Sequence, residues 1–182
     1  MSVYVALFRG INVGGKNKIS MKSLIKIIEE NGYTGIRTYI QSGNVLFQGS
    51  HSKAKKFSKI IGQAIQDHYG FHPDILIIDS KQLEQSVNAN PFPQAENHPK
   101  SLHLYFLDCL PKHFNIEKLN KLKSANESFQ IIDRVFYLHA PDGIGRSKLA
   151  AKIEVLLGIK ATARNWNTVF KLLKICSEIP PQ

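Results

Sequence analysis

With 182 residues, 43% of them apolar and 21% charged, the chain has room for one ordinary domain or two small ones sharing a core. That composition excludes a disordered tail, a collagen-like fibre and a disulfide scaffold. Lys and Arg number 24 against 14 Asp and Glu, a net charge of +10, so the surface should favour nucleic acid, phosphates or an acidic partner.

Val3 to Phe8 alternates around β-branched and aromatic residues and predicts a strand. A glycine- and lysine-rich loop follows as far as Ser20, a good N-cap for a helix carrying Met21, Leu24, Ile25 and Ile28 and stopping at Asn31-Gly32. Ile36–Gln41 and Val45–Gln48 form a predicted hairpin joined by Ser42-Gly43-Asn44. Arg37, Tyr39 and Gln41 should share one face of it, opposite Ile36, Thr38 and Ile40. Ala54, Phe57, Ile61, Ala64, Ile65 and His68 make a helical stripe ending near Gly70, and Ile75–Ile78 is a short strand. This β-α-β-β-α-β order predicts a ferredoxin-like, split βαβ antiparallel sheet with both helices on one face and the other face open.

A weaker helix over 82–88 and a proline-rich connection over 90–99 precede a restart of the pattern. The second set comprises a strand over Leu102–Leu107, a helix over Ile116–Leu122, strands over Phe129–Ile132 and Val135–His139, and a helical stripe at Leu149, Ile153, Leu156 and Leu157. In place of a last strand, a helix carrying the core anchor Trp166 with Val169, Phe170, Leu173 and Cys176 ends the pattern. The expected class is α+β: a first subdomain over residues 1–90, and a second over 91–182 with an extra C-terminal helix. The basic excess is even, 11 basic and 6 acidic side chains in residues 1–90 against 13 and 8 in 91–182, so each half carries +5 and neither has a basic arm. No stretch is long and apolar enough to span a bilayer and residues 1–8 lack the pattern of a signal peptide, so a cytoplasmic location without a membrane partner is expected. Cys109 and Cys176, assigned to a strand and a helix, read as buried structural thiols.

Four segments concentrate basic and amide side chains. Arg9 to Lys18 places Gly14, Gly15 and Lys16 between a strand and a helix, where exposed amides and cations suit an anion. Gly10, Gly15 and Lys16 meet the G-x-x-x-x-G-K part of a phosphate-binding loop, and Ile75–Asp79 imitates the apolar strand ending in Asp that accompanies it. Asn17 replaces the hydroxyl residue that would hold magnesium, and the helix starts too late. The hairpin face with Val3-Tyr4-Val5 is loosely similar to a single-stranded RNA platform, though the third strand lacks the aromatic series; packing against the second half is the other reading. Pro141–Lys148 is a turn feeding a helix capped by Ser147, with Arg146 and Lys148 at its start. Arg164, Asn165 and Asn167 cluster in a predicted loop and suit ligand orientation. His68 and His72 do not form a metal pair, because Gly70 and Pro73 end the helix that would align them; no metal site is expected.

These segments together resemble a bacterial family catalogued as domain of unknown function 1697. The matching residues run Leu7 to Asn17, Arg37 to Val45, Asn90-Pro91-Phe92, Gly145 to Leu149 and Thr162 to Val169. The resemblance implies a two-part α+β protein with ferredoxin-like character and implies no activity. The residues themselves point to a phosphate-bearing ligand or nucleic acid, bound where Arg9, Asn12, Gly14, Gly15, Lys16, Asn44, Arg146, Lys148, Arg164, Asn165 and Asn167 would converge. The alternatives are a nucleotide-dependent phosphatase or transferase using the Lys16 loop, and a structural or interaction module without ligand. Cofactor, oligomeric state and enzyme class are left open.

Overall fold

The computed structural model describes residues 2–112 and 114–180. It holds two four-stranded antiparallel sheets and a mixture of helices, an α+β architecture. Two compact units divide the chain: Met1–Glu84 with Leu172–Gln182, and Gln85–Lys171. The expected division at residue 90 assigns the whole C-terminal helix to the second half, whereas the observed boundary falls within it.

The first unit runs β1 (Ser2–Arg9), α1 (Met21–Glu30), β2 (Thr34–Tyr39), β3 (Asn44–Gly49), α2 (His51–Tyr69) and β4 (Asp74–Asp79), with sheet order β2-β3-β1-β4. Ser20 caps α1 by accepting from Ser23 N, and Ser50 caps α2 by accepting from Lys53 N, satisfying amides that a helix start leaves free. Alternation in β1 sends Tyr4, Ala6 and Phe8 to the face that also carries Val45 and Phe47. Leu24 and Ile28 of α1 and Phe57, Ile61 and Ile65 of α2 complete the core on that side. Phe47 stacks on Tyr4 at 5.5 Å and on Phe57 at 4.3 Å, with Tyr33 edge-on to both phenylalanines.

The opposite face is not open. Val5 pairs with Leu46 and Leu7 with Asn44, and all four are fully buried. Glu178 and Pro180 bond to residues of the same face, Arg37 and Gln48, through a 3.7 Å ion pair and a 2.9 Å hydrogen bond from Gln48 Nε2. An RNA platform needs exposed aromatics; here Tyr4 is in the helix-side core and its neighbours are buried aliphatics. The hairpin also ends sooner than its alternation suggests. β2 stops at Tyr39 after a register shift between Thr34 and Arg37, and Ile40 and Gln41 lie in the turn, off both sheet faces.

The helix α3 (Ser80–Asn88) leads into the second unit, whose elements are β5 (Leu102–Leu107), α4 (Ile116–Leu122), β6 (Ser128–Ile132), β7 (Val135–His139), α5 (Ile153–Leu157), β8 (Ala161–Asn165) and α6 (Trp166–Ser177). The predicted loop before the last helix is the missing fourth strand: β8 pairs antiparallel with β5 and completes the order β6-β7-β5-β8. Its inward residues are Ala161 and Ala163, too small to register as an apolar stripe, yet both join the core of Tyr105, Leu107, Phe136, Leu138, Leu149 and Ile153. α5 is preceded by a 3-10 turn over Ala150–Lys152, and Ser147 Oγ, ahead of that turn, accepts from Ala150 N at 3.0 Å. Cys176 is buried; Cys109 lies beyond the end of β5 and is exposed, contrary to the expectation for both thiols. Among the described residues no helix is long and apolar enough to cross a membrane.

Candidate anion-binding loops

The glycine-rich segment after β1 folds into a small hairpin that projects from one end of the first sheet. Lys16 N donates to Val13 O at 3.0 Å and Asn12 N to Asn17 O at 3.1 Å. Gly14 and Gly15 occupy the turn with φ of 57° and 75°, the double left-handed conformation of a type I′ turn that glycine adopts without strain. Two asparagines fix its base. Asn17 Nδ2 donates to Gly10 O at 2.8 Å. Asn12 Oδ1 accepts from Ile19 N at 2.9 Å while its Nδ2 donates to Ile19 O at 2.9 Å and to Gln41 O at 3.1 Å.

That last bond ties the hairpin to the β2–β3 turn. Phe8 N donates to Gly43 O at 2.8 Å, and a Cβ at Gly43 would lie 2.6 Å from Phe8 Cβ, so the turn sits directly on the end of β1. Asn44 is fully buried beneath it, its Nδ2 donating to Tyr39 O at 3.2 Å and Ser42 Oγ at 2.9 Å. Asn12, Asn17 and Ile40 have φ of 55°, 50° and 49°; they are three of the four non-glycine residues with positive φ among those described. A β-branched residue there is strained by about 1–2 kcal/mol, so the surrounding bonds must impose the shape.

Thus Arg9, Asn12, Gly14, Gly15, Lys16 and Asn44 are brought to one end of the first unit, with different tasks. Asn12 and Asn44 use their amides internally. Gly14, Gly15, Lys16 and Lys18 are exposed, and Arg9 stands across from Asp74 of β4.

The geometry does not fit a nucleotide-hydrolase loop. β1 is antiparallel to both neighbours, the chain turns on itself instead of cradling a phosphate, and α1 begins after its own serine cap. Asp79, which imitates the magnesium-binding aspartate, is an N-cap: its Oδ1 accepts from Gln82 N at 2.7 Å while Gln82 Oε1 accepts from Asp79 N at 3.0 Å. His68 and His72 are local too. His68 Nδ1 lies 2.7 Å from Ala64 O, and the His72 ring packs over Gly62 of α2.

The remaining five predicted residues belong to the second unit. Arg146 ends a 3-10 turn over Ile144–Arg146 and is exposed, as is Lys148. The helix they precede, α5, is a single short turn without a usable N-terminal anion site. Arg164 sits on β8, paired with Leu104; its Nη1 donates to Ala163 O at 2.8 Å, and burial lowers its pKa to about 10, which leaves it charged at neutral pH. Asn165 caps α6, accepting from Thr168 N at 2.9 Å.

Asn167 has a different setting, lining a cleft of about 810 Å³ with Asn97, His98, Lys100, His139 and Asp142. Neither Arg146 nor Lys148 lines it. Burial, and then the nearby His98, lower the His139 pKa. Asp142 Oδ2 accepts from Asn126 Nδ2 at 2.8 Å. Asn97 and His98 lie in the stretch expected only to connect the halves, and Lys100 follows it directly; an amide and an imidazole before Pro99 with an amine after it are the one signal in the sequence.

Residues 1–137 match the family model described as protein of unknown function (DUF1697). The chain belongs to this family. The DUF1697 match covers the glycine hairpin and the β2–β3 turn and stops before the Gly145–Leu149 and Thr162–Val169 segments that also suggested it. The chain is similar over 96% of its length to 98% of a solved structure described as the conserved bacterial protein SP0830 from Streptococcus pneumoniae, with a TM-score of 0.71 and 22% identity. At that identity the likeness is one of fold. No curated protein matches.

Proposed function

We propose that the protein binds nucleic acid through the projecting hairpin of its first unit, with Lys16 and Lys18 meeting phosphates and Arg9 supporting them at its base. One observation carries the reading: the hairpin is exposed, and Asn12 and Asn17, both in the left-handed backbone region, close its base with their side-chain amides. Left-handed backbone at non-glycine residues concentrates at functional positions. Small molecules prefer concave sites, whereas an exposed basic hairpin suits the backbone of an extended polyanion. The net charge of +10 adds long-range attraction.

The test is fluorescence anisotropy with labelled single-stranded and duplex oligonucleotides across a salt series. Affinity should fall as salt rises. Replacing Lys16 and Lys18 together by Met should weaken binding and reduce the log–log salt slope by about 1 per lysine. Undetectable binding at low salt, or an unchanged slope in the double variant, sinks the proposal and leaves the interaction module as the better reading. Magnesium-dependent ATP or GTP turnover that Lys16→Met abolishes would instead favour the phosphatase or transferase.

A further inference from the structure

We propose that the cleft of the second unit is a separate binding site for a small phosphate- or carboxylate-bearing molecule, held by Lys100 and the His98/His139 pair and oriented by the amides of Asn97 and Asn167. The cleft is built where several elements of this unit end. Ser101 precedes β5, His139 closes β7, and Asn167 lies in the first turn of α6. Its volume of about 810 Å³ lies within the ordinary range of small-molecule sites.

The wall is set independently of any ligand. Ser101 N and Oγ both donate to His98 O, at 2.8 and 2.7 Å, and Ala140 N donates to Ser101 O at 2.8 Å. His139 packs against the Phe92 ring, with centroids 6.0 Å apart.

The charge pattern selects the ligand. Lys100 is cationic, two imidazoles can become so, and the single acid among the lining residues, Asp142, is hydrogen-bonded to Asn126. Burial, and then the nearby His98, disfavour a positive charge on His139; an oxyanion in the cleft would offset the repulsion, so binding should draw a proton onto His139. The titratable and charged groups that line the cleft with His139 are His98, Lys100 and Asp142, and only the last opposes an anion.

The experiment records side-chain imidazole NMR signals of the full chain during titration with inorganic phosphate and, separately, with succinate. The expected result is a saturable shift of His98 and His139 alone among the seven histidines, with affinity rising as pH falls from about 7.5 to about 5.5. Lys100→Met should weaken binding about tenfold, the loss of one charge-assisted contact. His139→Gln should remove most of the pH dependence, with His139→Asn as the second variant should the first prove unstable. Phosphate binding without succinate binding assigns a phosphoryl ligand, and the reverse a carboxylate; either supports the site. Equal shifts of all histidines, no saturable shift of these two, or full affinity in Lys100→Met overturns it. Lys16 and Lys18 are not read by these signals, so the outcome is independent of nucleic-acid binding.

Discussion

Asn12 does more structural work than any exposed cation near it. One side chain satisfies both backbone groups of Ile19 and the carbonyl of Gln41, partners 7 and 29 residues away. Asn12→Ala should cost about 2–3 kcal/mol in urea unfolding, because two part-buried backbone groups lose their partner. It should also weaken oligonucleotide binding without removing a charge. Gly43→Ala should cost about 2–5 kcal/mol, combining a left-handed φ of 72° with overlap on Phe8 and Ile11. His103 adds a pH effect. It is 9% exposed, its Nδ1 has no partner among the described residues, and burial outweighs the opposing pull of the Ser101 backbone to bring its pKa to about 4. The folded state therefore excludes the proton that the unfolded chain accepts near pH 6.5. Stability is complete above about pH 6.5 and falls on acidification by up to about 3 kcal/mol as pH approaches 4. His103→Leu should flatten urea midpoints across that interval.

Elements differ in how much of them the residues announce. α1, α2, β1, β3 and β5 combine strong periodicity with serine caps or glycine stops, and they stand close to where the pattern puts them. β8 was hidden because alanine carries little hydrophobic signal, although its placement against β5 gives the alanines a core role. Asp79 was ambiguous for a related reason: an apolar strand followed by Asp-x-x-Gln fits both a magnesium site and a capping box. The two separate by measurement. Asp79→Ala should cost about 1 kcal/mol in thermal or urea unfolding and couple to Gln82→Ala in a double-mutant cycle, with no effect on oligonucleotide affinity. The loop over residues 10–19 was legible as unusual from its glycines. Its form as a closed hairpin was not, because the closing bonds come from Asn12 and Asn17, whose targets only the folded chain supplies.

For the molecule as a whole, the first unit is discontinuous in sequence. Leu172, Ile175, Cys176 and Ile179 are buried residues of the segment that contacts place with β1–β4, and Gln48 and Arg37 bind the segment's later residues. A fragment ending at Glu84 should therefore lack a stable fold by circular dichroism until a peptide covering 172–180 is added. In the full chain, Ile179→Ala should cost about 2–4 kcal/mol. Two-unit organisation was visible in the repeated order of elements; the return of the final segment was not, because an amphipathic helix does not declare which sheet it joins. Trp166 offers an optical handle on this arrangement. It is the sole tryptophan, it is buried beside Phe170, and it immediately precedes the cleft residue Asn167. Its intrinsic emission, excited selectively without any attached dye, comes from a single known position, so the proposed occupation of the cleft should shift it if the neighbouring asparagine takes part.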